Sequence, residues 1–242
     1  MSSNGQYISD EATYKEDAYL ALTSRFGSRD DFERFYSSLD DSATKDDFLR
    51  AVTFYLFFVK NGDWHVSVER SNEVVDYITN SFKLAGLFSL IESLSRKVYK
   101  DFYQWLRTEA GNYVFPINDQ DVLSQLNDRY KDEYGSIRRC KTFFENLPRA
   151  NQDALCKAIK SNGESLTSIA EVASLLYTAR SEFVHAAELM LLVGSGTHFS
   201  KKGGRNFQAD LSMDVLLKSV EEGILAHFDR QAKSSDNQDA TR

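Results

Sequence analysis

Apolar positions recur along this chain at the i, i+3, i+4, i+7 spacing of helices that bury one face, with short polar stretches between the runs. The pattern predicts a first helix over 11–26, closed by Gly27, and a short second one over 30–38. Phe48, Val52, Tyr55, Leu56 and Val59 form one stripe that Asn61-Gly62 ends, with Thr44 as the expected N-cap and Asp47 three residues on. Trp64 to Glu69 alternates and predicts a short strand or an extended link. From Asn72 the helical pattern returns, and Leu84, Leu87, Phe88, Ile91, Leu94 and Val98 mark a core helix with Glu92 at the margin of its stripe.

Farther on, Phe102, Trp105 and Leu106 keep helical spacing, a loop is expected around Pro116, and helices are expected over 119–134, 136–147 and 150–159. Arg138, Arg139 and Lys141 read as a solvated basic face. Ser168 with Glu171 has the capping-box spacing and opens a helix that is apolar on two sides. Leu166, Ile169, Ala170, Ala173, Leu176, Tyr177 and Val184 make one stripe; Val172, Leu175, Ala179, Phe183 and Ala186 make the other. Such a helix belongs at the centre of a fold, and Gly194-Ser195-Gly196 is its expected end. A basic glycine-rich loop follows, and then a last amphipathic helix over 210–230 carrying Met213, Leu216, Leu217, Val220, Ile224 and Phe228 on one face. Both polar ends, 1–11 and 231–242, are expected to be loose.

Composition fits a helical reading: 242 residues contain only two prolines and 42% hydrophobic residues. We expect an all-α protein, with residues 1–75 as an N-terminal helical extension, 76–230 as one helical bundle and 231–242 as a disordered tail. The net charge of -7 argues against a surface that tracks long nucleic acid by bulk electrostatics, but it leaves room for a local basic site. Cys140 and Cys156 lack metal-ligand spacing and are expected to be buried thiols in a reducing compartment, with neither metal nor cofactor implied. The first thirty residues lack the order of a secretory signal, and the longest apolar run, 51–59, falls far short of the roughly 20 residues a spanning helix needs. The expectation is a cytoplasmic protein that does not enter a membrane.

Candidate chemistry lies late in the central helix. Ser181 and His185 are neighbours at i, i+4, and Tyr177 precedes Ser181 by one turn. Arg180 and His185, at i, i+5, lie about 140° apart around the axis, so they border one broad face rather than stack. A twofold dimer that presses this face against its copy would gather two arginines and two histidines in one cleft. Histidine can take a proton from a ribose 2′-hydroxyl or return one to a leaving oxygen, and arginine stays charged and forks onto phosphate oxygens. Tyr177 and the basic loop residues Lys201, Lys202 and Arg205 are the candidate substrate-binding groups. That loop superficially suggests a phosphate loop, but its residue order is wrong for a Walker motif.

Arg180-x-x-x-x-His185 late in a helix resembles the HEPN superfamily of helical bundles. The wider string Leu176-Tyr177-x-x-Arg180-Ser181-x-Phe183-Val184-His185 is similar to the Apea-like branch, and Leu90-Ile91-Glu92-Ser93-Leu94 resembles its glutamate-bearing core helix. The likeness covers 77–228 and implies a bundle of HEPN type, often dimeric. It also implies metal-independent endoribonuclease activity in a toxin or defence setting, with RNA or nucleotide as ligand and a protein regulator or antitoxin as partner. Arg180, His185 and Ser181 hold the catalytic positions, and Glu92 is a structural partner. Ala186 stands where that branch commonly has glycine, and Ser181 where the best-known nucleases have Asn or Asp. Two alternatives stay open: a non-catalytic module that binds nucleotide, RNA or protein, and a purely structural role in which Arg180 pairs with Glu92 or Glu182 and His185 is packed.

Overall fold

The computed structural model describes residues 12–39, 41–62, 74–94, 100–108, 111, 113 and 116–239. Among these residues ten α-helices dominate, joined by a small antiparallel sheet. In the N-terminal third, α1 (Ala12–Leu22) runs into a 3-10 turn (Thr23–Arg25), and α2 (Arg29–Ser37) and α3 (Ser42–Phe54) follow. Asp41, not Thr44, caps α3: its carboxylate accepts from the Thr44 backbone N–H at 2.7 Å, which leaves Thr44 inside the first turn. The helix does not continue as α to Gly62. It widens at Tyr55–Lys60 into a π turn, closed where the Asn61 N–H donates to the Leu56 carbonyl at 2.9 Å.

The remaining elements are α4 (Val74–Ser93), α5 (Phe102–Thr108), α6 (Gln120–Tyr134), α7 (Ser136–Glu145), α8 (Arg149–Ala158), β1 (Ile159–Ser161), β2 (Glu164–Ser165), α9 (Ile169–Ala186), β3 (His198–Lys202), β4 (Arg205–Ala209) and α10 (Met213–Asp239). The alternating stretch 64–69 and the end 1–11 lie outside the described residues. Among those described, no helix is long and apolar enough to cross a membrane.

The strands depart from the all-α expectation. They order β2-β1-β4-β3, all antiparallel, and occupy segments the sequence pattern leaves as loop or helix end. Two short turns make them possible. Asn162 and Gly163 (φ 51° and 93°) join β1 to β2, and Gly203 and Gly204 (φ 55° and 77°) join β3 to β4. Both pairs supply the two consecutive positive φ angles of a type I′ hairpin. The basic loop is therefore a paired hairpin.

Two further boundaries move. The central helix ends at Ala186, with Ala187 left-handed at φ 54°, well before Gly194-Ser195-Gly196. Ser168 stands at its N-cap without a side-chain cap, and Glu171 pairs with Arg205, so no capping box closes. At the other end of the chain α10 continues past Arg230 to Asp239: polarity there removes the reason to bury a face, but no Gly or Pro stops the helix.

One contiguous core contains Leu22, Phe32, Phe48 and Tyr55 from the N-terminal helices together with Phe88, Leu176, Val220 and Phe228 from the rest. The N-terminal segment is thus part of the same core as the bundle, with Phe48 edge-on to Phe228 at 5.3 Å. α9 sits at its centre, packed against α4, α7 and α8. A smaller cluster of Trp105, Leu106, Leu126 and Tyr134 holds α5 to α6.

Candidate functional site

Burial changes abruptly along α9. Ile169, Val172, Ala173, Leu175, Leu176 and Ala179 are buried, while residues 184–189 are exposed. The two apolar stripes are both needed only where the helix runs between α4, α7 and α8; its last turn projects beyond them. Arg180 falls just inside that boundary and His185 outside it.

Arg180 turns toward α4. Its Nη2 lies 3.9 Å from Glu92 Oε1, with side chains 16% and 25% exposed, and its guanidinium stands 5.7 Å from the centre of the Tyr177 ring. The ion pair is loose: Glu92 Oε1 and Arg180 Nε are shut off from solvent and have no hydrogen-bond partner. Tyr177 packs edge-on to Phe88 at 5.7 Å. Burial, and next the Glu92 carboxylate, push its phenol above the usual tyrosine range, while Arg180 and a hydrogen bond from Ser136 act the other way. Cys140 on α7 shares this environment: burial first, then Glu92, push its thiol up to about 12, opposed by Arg180 and Arg139. One carboxylate, two guanidiniums, a phenol and a thiol thus influence one another beneath the surface where α4, α7 and α9 meet.

His185 is exposed on the last turn of α9. Near it in the chain, Val184 is 48% and Leu189 40% exposed, Phe183 meets Phe82 of α4 edge-on at 5.0 Å, and Glu182 and Glu188 lie three residues to either side. Ser181 is half-buried between the two regions.

The basic hairpin lies along α9 and is fastened to it at two points. Lys202 pairs with Glu182. Arg205 pairs with Glu171 at 2.6 Å and donates to Ser161 Oγ at 2.9 Å, so its guanidinium is anchored fourteen residues, about 21 Å of helix, before His185. Lys201 stays exposed. Of the residues singled out in the sequence, Arg180, Tyr177 and Glu92 come together, Ser181 adjoins them, and Arg205 does not join His185.

The residue that sequence reasoning missed is Arg139. It reads as part of a solvated basic run, yet its Nε and Nη2 are buried without a partner. The available signal was its neighbourhood: Cys140 and Phe144 make the buried stripe of α7, and Arg139 borders it one turn before Phe143.

Compared with known family models, with curated proteins and with solved structures, the chain matches none.

Proposed function

We propose that this protein is a metal-independent endoribonuclease of HEPN type whose site is completed when the C-terminal turn of α9 meets its copy in a second protomer. The observation that carries the reading is an exposed His185, with exposed Val184 and Leu189 close to it in the chain, about one and a half turns beyond an arginine held at a helix junction. An apolar surface around a polar catalytic-type residue is what a second copy would cover.

The chemistry is an internal transesterification. The ribose 2′-oxygen attacks the adjacent phosphorus while one His185 ring takes its proton. The bond from phosphorus to the 5′-oxygen breaks, and that oxygen receives a proton from the second His185 ring. The products are a 2′,3′-cyclic phosphate and a 5′-hydroxyl. Arg180 stabilises the charge gathered on the phosphate oxygens, with Tyr177 fixing its plane and Ser181 orienting the phosphate.

The test is RNA incubated with purified protein in EDTA. Cleavage is expected, and His185→Ala should slow it by about a hundredfold or more, the usual scale for a general acid–base. No cleavage, or cleavage indifferent to that substitution, would sink the reading, as would a strict monomer in solution. A second reading is favoured by a specific observation: Glu92 already partly neutralises Arg180 within one subunit. It is a non-catalytic module that binds RNA, nucleotide or a protein, and bound but uncut RNA would establish it.

A further inference from the structure

Where α7 passes α4 and α10, a cleft of about 300 Å³ opens over Ile91, Leu94 and Phe143. Arg138 and Arg139 of α7 form one wall, and Asp132 and Glu133 of α6 stand on another. His227 and Arg230 of α10 complete the rim.

Charge is unbalanced here. Among the described residues no carboxylate pairs with Arg139, and the Nε and Nη2 edge of its guanidinium lies beneath the surface with no acceptor. Glu92, whose charge reaches Cys140 as those of Arg139 and Arg180 do, is paired with Arg180. Guanidinium N–H groups shut off from water without an acceptor are costly, and an anion in the cleft supplies acceptors once the half-buried side chain turns toward it. Turning about its side-chain torsions, Arg139 can offer its planar fork to such an anion, and Arg138, exposed beside it, adds a second. Glu133 Oε2 accepts from Trp105 Nε1 at 3.2 Å. Asp132 is exposed and can accept hydrogen bonds from hydroxyl groups.

We infer that this cleft binds a small phosphorylated polyol such as a sugar phosphate, with the phosphate on Arg138 and Arg139, the hydroxyls toward Asp132, and the carbon skeleton over Ile91, Leu94 and Phe143. The volume stands at the lower end of small-molecule sites, which suits a ligand of that size. Asp132 and Glu133 stand in the same cleft, so a compact anion that touches only the arginines matches it better than a long polyanion. This assignment stands apart from the ribonuclease reading.

Calorimetric titration of the full chain with ribose 5-phosphate, inorganic phosphate, sulfate and ribose tests it. Ribose 5-phosphate should bind tighter than about 1 mM, inorganic phosphate more weakly and ribose not measurably. Arg139→Met, which keeps the apolar stem, should weaken ribose 5-phosphate about ten- to a hundredfold, and Asp132→Asn should bring it toward inorganic phosphate. If Arg139→Met does not fold, Arg138→Met on the exposed position serves, with an expected loss of several-fold. His185→Ala should leave the affinity unchanged, which separates this site from the proposed catalytic one. No binding, equal binding of ribose, indifference to both arginine substitutions, or sulfate as good as ribose 5-phosphate (an adventitious ion only) would each overturn the assignment.

Discussion

Glu221 on α10 is 2% exposed and gathers side chains from the N-terminal third. It accepts from Tyr55 Oη at 2.8 Å, Lys60 Nζ at 2.7 Å and Ser24 Oγ at 3.2 Å, and it pairs with the Arg25 guanidinium, whose Nε lies 3.1 Å away and donates to Ser24 Oγ. Replacing it with alanine removes the common acceptor. Arg25 keeps Glu222 at 3.0 Å and Lys60 keeps the Ala21 carbonyl, so neither cation is left bare, and the loss from the ion pairs falls at the low end of the 3–5 kcal/mol seen when one partner of a buried pair is removed, about 3 kcal/mol. The Tyr55 hydroxyl, on a fully buried side chain, loses its acceptor and adds about 1 kcal/mol or more. We expect Glu221→Ala to cost about 4 kcal/mol. Tyr55→Phe leaves Lys60, Ser24 and the Arg25 ion pair on the carboxylate and should cost about 1 kcal/mol. Urea titrations read both as midpoint shifts at constant slope. If Glu221→Ala costs less than about 1 kcal/mol, or no more than Tyr55→Phe, the carboxylate does not hold the N-terminal helices to α10 and the reasoning fails.

Two other outcomes follow from the same core. A Cβ on Gly223 of α10 would come within 2.3 Å of Phe143 Cζ and 2.9 Å of Leu147 Cδ2, so Gly223→Ala should destabilise by about 1 kcal/mol net: overpacking of about 2 kcal/mol outweighs a gain of about 1 kcal/mol in helix propensity. A rise in thermal midpoint would show that α7 and α10 are not in such close approach. Stability should also fall in alkali. Burial, followed by Glu221 for Tyr55 and by Glu92 for Cys140, raises both acids above their ordinary values, so the folded chain keeps protons that the unfolded chain releases. Their contribution is complete below the unfolded values and is lost as pH rises, from about 8.5 for the thiol and about 10 for the phenol, at roughly 1.4 kcal/mol per pH unit each. Urea midpoints between about pH 8 and 11 that stay level, or that decline identically in Cys140→Ala, would refute it.

Helices were legible because periodic burial is written locally, as in α4, where Leu84, Leu87, Phe88 and Ile91 all reach the core. The sheet was less so, since its strands are three, two, five and five residues long and too short for alternation to show. The missed signal was in the turns: Asn162-Gly163 reads as a helix stop and Gly203-Gly204 as a loose loop, although each is a two-residue hairpin pair. At the candidate site, the sequence pointed to Arg180, Tyr177 and Glu92 in separate roles, with Glu92 and Glu182 both open as partners of Arg180, and α4 packed on α9 brings the three together. For Arg139 it offered only a place beside the Cys140 and Phe144 stripe, because the burial of that side chain depends on how α7 sits against its neighbours.

The same sequence spacing occurs twice in this chain with opposite results. Tyr55 and Lys60 are five residues apart, as are Arg180 and His185. In the π turn, closure at i→i+5 brings residues five apart nearly into line, and both side chains reach the Glu221 carboxylate. In α9 the winding is regular, five residues carry the chain about 140° around the axis, and the two side chains part: Arg180 goes to the interior and Glu92, His185 to solvent. The arginine–histidine spacing therefore cannot by itself build a site within one subunit, because the winding that would join the pair is the winding α9 lacks. Any chemistry that uses both must bring the missing half from outside, which is why the proposal requires a second copy and why the oligomeric state bears on the activity as directly as either side chain does.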